Sequence, residues 1–369
     1  MDKTLHIVSF DIPYPPNYGG IIDVYYKIKH LHSAGIKIHL HLFEYSREKS
    51  TELEKYCKSI TYYKRKNSPF LVFSTTPYIV KSRTNKKLLE NLQNDNYPVL
   101  FEGLHTSFYC KYLSKKTYVR THNIEHLYYK GLAYSEKNII KKIFFITESW
   151  KLKLYEKIIN KTTGILTISH SEQDYFLNKY GKKSTYIPVF HNSEFKNHLS
   201  KKGKYLLWHG DLRTSDNVNA ALFLIDIFKN AEYPLKIASG TINSRIQNTI
   251  KRYPNIEFVR INNNKDFDKL FENSHINLLY TFQKTGIKLK LINALYKGKH
   301  IIGNSKILSD TGLENLCYLA NTKEEFLYHV KNLMNQDFTS ENIEKRKKNM
   351  INFSPTESAK KIIQVIFKQ

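Results

Sequence analysis

Short apolar runs alternate with stretches of helical spacing along most of the chain. In the first cycle, an apolar strand over Leu5–Phe10 precedes a helix over Ile21–Ala34, and a second strand follows over Ile36–Phe43. Gly35 lies between that helix and the second strand, where a glycine commonly ends a helix. Strands that alternate with helices in this way predict βαβ units built around a parallel sheet.

The alternation is interrupted by the polar, basic stretch HNSEFKNHLSKKG at 191–203, which predicts a linker between two domains. We therefore place an N-terminal domain at 1–190, a second domain at 204–352 and a C-terminal helix at 353–369 that packs back on the first domain. Further strands are predicted at Val99–Glu102, Tyr118–Thr121, Ile165–Ser169, Tyr205–Trp208, Leu235–Ala238, Ile256–Ile261, Ile276–Phe282 and His300–Gly303. Further helices are predicted at Lys86–Leu92, Glu136–Asn160, Val218–Phe228, Ile246–Arg252, Phe267–Glu272, Ile287–Tyr296 and Glu324–Asn335.

The predicted fold class is α/β, with two Rossmann-like domains that face each other across a cleft. In open parallel sheets, ligands bind outside the carboxyl ends of the strands, so the cleft is the expected site. Thr322 and Glu325 have the spacing of a capping box and predict a helix that begins directly after Thr322.

The length of 369 residues fits two domains, and three widely spaced cysteines argue against a disulfide framework or a zinc site. The N-terminal apolar run is too short for a signal peptide, and no apolar run approaches the roughly 20 residues that span a bilayer. We expect a cytoplasmic protein, either soluble or peripheral on the inner face of the membrane.

The formal net charge is +25, which favours an anionic partner such as nucleic acid, anionic lipid or a phosphorylated ligand. A chain rich in Lys, Asn, Ile and Tyr also reaches such a charge through compositional bias alone. The segment Glu136–Lys161 is basic and aromatic, and two interpretations stay open for it. Its apolar stripe is packed in the core, or the segment lies on an anionic membrane surface.

The loop DIPYPPNYGG, Asp11–Gly20, lies at the carboxyl end of the first strand. Its three prolines stiffen the backbone, whereas Gly19 and Gly20 let the backbone approach a ligand at the start of a helix. A tight turn without a ligand is the alternative. The loop lacks the GxGxxG pattern, so a nicotinamide cofactor is not predicted.

Four stretches in order resemble glycosyltransferase family four, a group of retaining enzymes with the two-domain GT-B architecture. They are PYPPNYGGIIDVYYKIKHLHSAGIKIHLHLF near the N-terminus, RTHNIEHLYYKGLA at 120–133, ESWKLKLYEKIINKTTGILTISHSEQDYF, and KTGIKLKLINALYKGKHIIGN at 284–304. The resemblance implies a transferase of bacterial surface-polysaccharide synthesis, with a nucleotide-sugar as co-substrate, a glycan or lipid-linked acceptor, and no cofactor or metal. A sugar-nucleotide 2-epimerase of the same fold and a non-catalytic, basic nucleic-acid-binding protein are the alternatives.

The resemblance also implies roles for individual residues. His122 matches the active-site histidine that contacts the donor sugar near the reacting carbon. Residues assigned to the acceptor or sugar are Asn17, Asn123 and Glu125, and those assigned to the donor are Gly19, Gly20, Gly210, Arg213, Thr285, Gly286, Lys288, Lys290 and Asn293.

The second domain departs from the family pattern at the donor site. Many members carry an arginine and a lysine after the first strand of this domain, where Asp211 and Asp216–Asn217 stand here. Many also carry two glutamates with seven residues between them, and Thr285 and Asn293 occupy those positions here. Arg213 is a candidate replacement for the phosphate contact, or else an exposed loop arginine.

Helix geometry selects residues within the stretch at 284–304. We predict that Thr285 caps a helix whose first N–H groups face an anion. At about 100° per residue, Lys290 and Asn293 share a flank, which assigns Lys290 to the diphosphate and Asn293 to the ribose. Lys288 lies on the opposite flank of the helix, and we predict that its long side chain extends from the first turn to the same anion.

Asp266 and Asp268 form an Asp-x-Asp pattern, which binds metal in a different glycosyltransferase architecture. Here the pattern precedes a helical stretch, so we predict that Asp266 is a helix N-cap and that both carboxylates favour the helix start. No other cluster has metal-ligand spacing, and the sequence predicts no metal site.

Overall fold

The computed structural model describes residues 3–181, 184–195, 202–283 and 288–368. These residues form two compact units. The first combines the N-terminal part of the chain up to Asn192 with the C-terminal segment from Asn352, and the second begins at Ser193 and ends at Ile351. Thr285 and Gly286 lie outside the described residues.

The first unit contains a parallel sheet of seven strands among its described residues, in the order β3-β2-β1-β4-β5-β6-β7. The strands are β1 (Thr4–Ser9), β2 (Lys37–Glu44), β3 (Ser59–Lys64), β4 (Val99–Glu102), β5 (Thr117–Arg120), β6 (Gly164–Thr167) and β7 (Ser184–Tyr186). The helices are α1 (Gly19–Ser33), α2 (Tyr78–Lys81), α3 (Lys86–Gln93), α4 (Glu125–Ser135), α5 (Ile139–Tyr155) and α6 (His170–Tyr180).

The second unit contains a parallel sheet of six strands among its described residues, in the order β10-β9-β8-β11-β12-β13. The strands are β8 (Tyr205–His209), β9 (Leu235–Ser239), β10 (Ile256–Arg260), β11 (Ser274–Leu279), β12 (His300–Gly303) and β13 (Tyr318–Leu319). The helices are α7 (Ser215–Phe228), α8 (Ser244–Ile250), α9 (Asn264–Asn273), α10 (Leu289–Lys297), α11 (Ser305–Leu308), α12 (Lys323–Leu333) and α13 (Ser340–Met350).

The two parallel sheets confirm the predicted α/β class with two Rossmann-like units. The last helix, α14 (Pro355–Phe367), belongs to the first unit and adds Ala359, Ile362 and Ile366 to the core that covers β1 and β2. The Tyr118 hydroxyl donates to the Val365 carbonyl at 3.1 Å, which joins α14 to β5. The C-terminal segment thereby covers one face of the first sheet.

Helix starts follow local capping chemistry. The capping box of Thr322 and Glu325 is confirmed at the start of α12. The N-cap prediction for Asp266 is wrong, because Asn263 occupies that position and its side chain accepts from the Asp266 N–H at 3.0 Å. Asp268 lies two residues further along α9 and pairs with Lys297 at 2.8 Å. The two aspartates therefore serve α9 and its packing on α10.

The core interpretation of the apolar stripe on Glu136–Lys161 is also wrong. Helix α5 does bury one face, which carries Glu148 and Leu152. Its opposite face is apolar as well, and Ile143 and Trp150 on that face are exposed to solvent. The sequence pattern could not distinguish the two faces, since apolar residues occur on both.

Candidate active site

Each sheet has one position where the strand order reverses, and this position determines where a ligand can bind. In the first sheet the reversal lies between β1 and β4, and in the second it lies between β8 and β11. In open α/β sheets the crevice at such a switch point, outside the carboxyl ends of the strands, holds the ligand. The candidate site in each unit is therefore built from the residues that follow these four strands and β5.

In the first unit, a buried network of charged side chains meets at this edge. Glu102 is the last residue of β4, and both of its oxygens accept from the Lys27 ammonium, at 2.7 and 2.8 Å. Lys27 also pairs with Asp23 one turn earlier on α1, at 2.9 Å. Arg120, the last residue of β5, donates to both oxygens of Asp23 at 3.0 and 3.2 Å.

His122 joins the network at its solvent side. It follows β5, and its Nε2 lies 2.9 Å from a Glu102 oxygen, while the ring packs edge-on against Phe10. Burial alone would raise the pKa of Glu102, but the Lys27 and His122 side chains outweigh burial and hold that pKa below its usual value. Glu102 is thus ionised and can only accept hydrogen bonds, so the proton of this hydrogen bond resides on His122 Nε2.

The other imidazole nitrogen, His122 Nδ1, is buried without a hydrogen-bond partner among the described residues. In a neutral ring this nitrogen accepts, and in an imidazolium it donates. Buried polar atoms without a protein partner are rare in native proteins, so such an atom is a candidate contact for water or a polar ligand. His122 is therefore held at a fixed orientation with one nitrogen left for a polar ligand.

Asp23, Glu102 and His122 also bring their ligand atoms within 4.8 Å of one another, a spacing that suits a metal ion. The Lys27 ammonium already bonds both carboxylates, and Arg120 bonds Asp23 as well. Two cations therefore balance the two carboxylates without an ion. The network fits a positioning role for His122 better than a metal centre.

Glu125 provides a second polar group at the same edge. It is the first residue of α4 and is 2% exposed. Burial, followed by the charge of Glu172, raises the pKa of Glu125 to about 8, although Arg83 and the Asn123 side chain oppose the shift. Glu125 is therefore protonated at neutral pH and can donate a hydrogen bond.

His105 lies beside this carboxyl group, with its Nδ1 3.9 Å from Glu125 Oε1. In the part of the chain that the structure describes, neither of these two atoms has a hydrogen-bond partner. The preceding turn depends on Gly103, which has φ +71°, and a Cβ there would lie 2.6 Å from His105 Nδ1. The turn after β4 thus directs His105 toward Glu125, and the pair offers one donor and one acceptor to a hydroxyl group.

The loop after β1 contributes less directly. Gly19 begins α1, and a Cβ on Gly20 would lie 2.9 Å from the Phe10 ring, so close packing already requires Gly20. The Asn17 side chain accepts from Arg47 at 2.6 Å. The donor role of the two glycines and the acceptor role of Asn17 remain predictions.

In the second unit, Lys290 occupies the corresponding edge. Its ammonium donates to the Asn217 side chain at 2.6 Å and lies 5.0 Å from the centre of the Trp208 ring. A Cβ on Gly210 would lie 3.0 Å from this nitrogen, so the glycine keeps the space beside it open. Burial lowers the pKa of Lys290 to about 8, against the charges of Asp216 and Asp211.

The loop after β8 holds its own charges in pairs. Arg213 donates to both oxygens of Asp211, at 2.7 to 3.0 Å. Asp216, in the first turn of α7, accepts from the Thr281 hydroxyl at 2.8 Å and from the Phe282 N–H at 3.0 Å, which joins α7 to the loop after β11. To contact a phosphate, Arg213 would have to give up its ion pair with Asp211. Lys290 would give up only a hydrogen bond to the neutral side chain of Asn217.

The helix that carries the predicted donor residues Lys290 and Asn293 begins later than its sequence suggested. Helix α10 starts at Leu289 and Lys288 is its N-cap residue, so the cap prediction for Thr285 is wrong. The Lys288 ammonium donates to the Lys306 carbonyl at 3.0 Å. Asn293 accepts from the Ser193 hydroxyl at 2.6 Å. Leu291, Ala294 and Leu295 are fully buried, so this side of α10 faces the core.

With this geometry in place, comparison with known proteins identifies the architecture. The chain matches no protein-family model. It is 25% identical over 390 residues to an uncharacterized 44.6 kDa protein in the cps region of Klebsiella pneumoniae, and the match covers 98% of each chain. Sucrose-phosphate synthase from Thermosynechococcus elongatus superimposes with a TM-score of 0.72 at 12% identity over 98% of each chain. A glycosyltransferase from Rickettsia africae does so with a TM-score of 0.68 at 14% identity over 100% of each.

The chain has the GT-B fold. This is the architecture of the glycosyltransferases that it superimposes on over nearly its whole length. No helix among the described residues is long and apolar enough to cross a membrane.

Several residues at the carboxyl edges of the two sheets were not predicted from the sequence. They are Asp23, Lys27, Glu102, His105, Arg120, Trp208 and Asn217. Asp23 and Lys27 carried a usable signal, because they lie four residues apart on the helix face that also carries the buried Val24 and Ile28. Glu102 carried a weaker signal, because it is a charged residue at the end of an apolar strand.

Proposed function

We propose that this protein is a retaining glycosyltransferase resembling family four. It transfers a sugar from a nucleotide-sugar to a glycan or lipid-linked acceptor, on the cytoplasmic side of the membrane, in bacterial surface-polysaccharide synthesis. In this reaction the bond from the anomeric carbon to the diphosphate breaks, the acceptor oxygen bonds that carbon with the same configuration, and the nucleoside diphosphate leaves. The GT-B fold and the relative from a cps region support the proposal.

The observation that carries the proposal is the orientation of His122. Its Nε2 is fixed on Glu102, and its Nδ1, at the carboxyl edge of the first sheet, has no hydrogen-bond partner within the described ranges of the chain. A nitrogen presented there is placed to contact a sugar hydroxyl next to the carbon on which charge develops. Asn123 and the protonated Glu125 supply further hydrogen bonds to the sugar or to the acceptor.

The proposal is tested with a panel of UDP-glucose, UDP-N-acetylglucosamine and GDP-mannose. A true donor raises the melting temperature by mass action and is consumed with release of nucleoside diphosphate. We expect consumption to persist in EDTA, because helix N–H groups and lysines meet the phosphate charge. Activity lost in EDTA and restored by Mg²⁺ or Mn²⁺ would contradict the metal-independent part of the proposal.

The same assay separates the alternatives. Conversion of a nucleotide-sugar into its isomer without an acceptor would identify an epimerase. Salt-sensitive binding to duplex DNA, with no response to any nucleotide-sugar, would identify a nucleic-acid-binding protein. Retention would be established by the anomeric configuration of the product.

Lys290 is the proposed contact to the donor diphosphate. We expect Lys290→Met to weaken nucleotide binding by roughly 10- to 150-fold, since a charge-assisted contact to phosphate contributes about 1.5–3 kcal/mol. The methionine retains the apolar contact with Trp208, so the loss reports the charge. Isothermal calorimetry with the nucleoside diphosphate measures the effect.

The controls use neighbouring positions on the same helix. Asn293→Ala should also weaken binding, through the ribose, whereas Lys288→Ala should have the smaller effect of the two lysine variants. Because burial lowers the pKa of Lys290 to about 8, wild-type affinity should fall as the pH rises above that value. If Lys290→Met and Asn293→Ala both bind like the wild type, this assignment of the donor site is wrong.

A further inference from the structure

Helix α5 carries an exposed apolar stripe that the active site does not use. Five large side chains on the helix are each 51% to 70% exposed: Ile139, Ile143, Ile146, Trp150 and Leu154. Their spacing of four, three, four and four residues places them within about 80° of the helix circumference. We call these five residues the α5 stripe.

The rest of the helix explains why the stripe must face outward. Leu152 and Glu148 are fully buried on the opposite side, and Glu148 accepts from the Tyr78 N–H. The Ser149 hydroxyl donates to the His126 carbonyl at 2.7 Å, which fixes α5 on α4. These contacts set the rotation of the helix, so the α5 stripe cannot turn inward without breaking them.

A neighbouring segment adds to the apolar surface. The 3₁₀ segment Pro69–Phe73 contacts α5, where the Lys151 ammonium donates to the Val72 carbonyl. Phe70 and Phe73 in this segment are more exposed than any residue of the α5 stripe, at 77% and 83%. Exposed apolar patches of this kind in soluble proteins commonly mark interaction sites.

The charge around the stripe indicates the partner. Residues 125–161 contain eight lysines and four glutamates. Three of the glutamates, Glu125, Glu148 and Glu156, are buried, so the accessible charge is predominantly positive. Lys142 and Lys153 are exposed, and at about 100° per residue both fall on the flank next to Ile146.

We infer that the α5 stripe docks on an anionic phospholipid surface. Isoleucine, leucine and tryptophan side chains enter the boundary between headgroups and acyl chains, and the flanking lysines contact the lipid phosphates. Tryptophan is typical of this boundary, because its ring is apolar and its N–H is polar. A second copy of the chain fits less well, since a two-fold contact through this face would bring the same lysines together.

The inference is independent of the proposed function and is tested with the full-length chain and lipid vesicles. We expect binding at low salt to vesicles of phosphatidylcholine with an equal share of phosphatidylglycerol, and weaker binding to phosphatidylcholine alone. High salt should reduce the binding, because it screens the lysine contribution. Lys142→Glu together with Lys153→Glu should remove most of the preference for the anionic lipid.

The apolar contribution is tested with a matched pair of isoleucines. Ile143→Asp should lower partition onto the anionic vesicles by at least tenfold, whereas Ile242→Asp should leave it unchanged. Ile143 is 58% exposed on α5 and Ile242 is 61% exposed on the second unit, so neither change disturbs a core.

Three results would overturn the inference. They are equal partition of the wild type onto neutral and anionic vesicles at low salt, equal binding by Ile143→Asp and the wild type, and a wild-type dimer without vesicle binding that Ile143→Asp converts to monomer. The last result would assign the α5 stripe to a second copy of the chain. Sedimentation velocity distinguishes it from vesicle binding.

Discussion

Replacing His122 by alanine is expected to lower sugar transfer by roughly 100- to 1,000-fold, the usual cost of losing one preorganised polar group at a reacting centre. The imidazole orientation is fixed before substrate arrives, because Nε2 donates to Glu102. Its Nδ1 is the atom that would contact the sugar. The loss should appear mainly in kcat, since the contact strengthens as charge develops on the sugar.

The His122→Ala protein should still fold. Glu102 keeps both hydrogen bonds from Lys27 when the imidazole is removed, so no buried carboxylate is left unpaired. The melting temperature checks this expectation. His32→Ala is the control, because His32 is an exposed histidine in the last turn of α1. Turnover of His122→Ala at the wild-type rate would reject the assignment.

Glu102 has a positioning role in the same interpretation. Glu102→Gln keeps the shape of the side chain but can turn its amide N–H groups toward His122, which changes the tautomer that the imidazole adopts. We therefore expect a loss of kcat with little change in KM. A purely structural role would instead lower the melting temperature and leave the kinetic constants of the folded fraction unchanged.

The fold was predictable where the sequence pattern is local. Alternating apolar strands and amphipathic helices predict ten of the thirteen strands among the described residues, all but the edge strands β3, β7 and β13, and Thr322 with Glu325 predicts the start of α12. The pattern failed at Asp266, because the three consecutive asparagines at 262–264 and Asp266 all suit a helix start and only Asn263 takes the cap. It also failed for the α5 stripe, since sequence periodicity does not tell which apolar face finds a partner.

In the first unit, the sequence pattern indicated a candidate site residue where that residue directly follows a strand. His122 was assigned in that way, and its role stays a prediction. Glu102 and Arg120 were not, because their partners are 75 and 97 residues away along the chain, and tertiary contacts alone reveal such pairs. Lys290 was assigned to the donor site from helix geometry, while its neutral partner Asn217 became visible only in the structure.

The largest expected effect on stability is that of Lys27→Met. Lys27 is fully buried and bonds both Asp23 and Glu102. Removing one partner from a buried ion pair costs about 3–5 kcal/mol, because it leaves a buried charge without compensation. Arg120 continues to neutralise Asp23, so Glu102 becomes the uncompensated group. Urea denaturation followed by circular dichroism measures the loss, and Lys87→Met on the exposed side of α3 should show almost none.

The pH dependence of this variant distinguishes lost charge from lost packing. Lys27 and His122 hold the pKa of Glu102 below its usual value in the wild type. Without Lys27, burial raises that pKa above its unfolded value, so Glu102 binds a proton more tightly in the folded state. The Lys27→Met deficit should therefore shrink as the pH falls from 8 toward about 5, where protonation removes the unpaired charge. Lys27→Met combined with Glu102→Gln should recover part of the stability at neutral pH, because the double change removes both charges. A deficit that stays constant with pH and is not reduced in the double variant would show that Lys27 acts through packing alone.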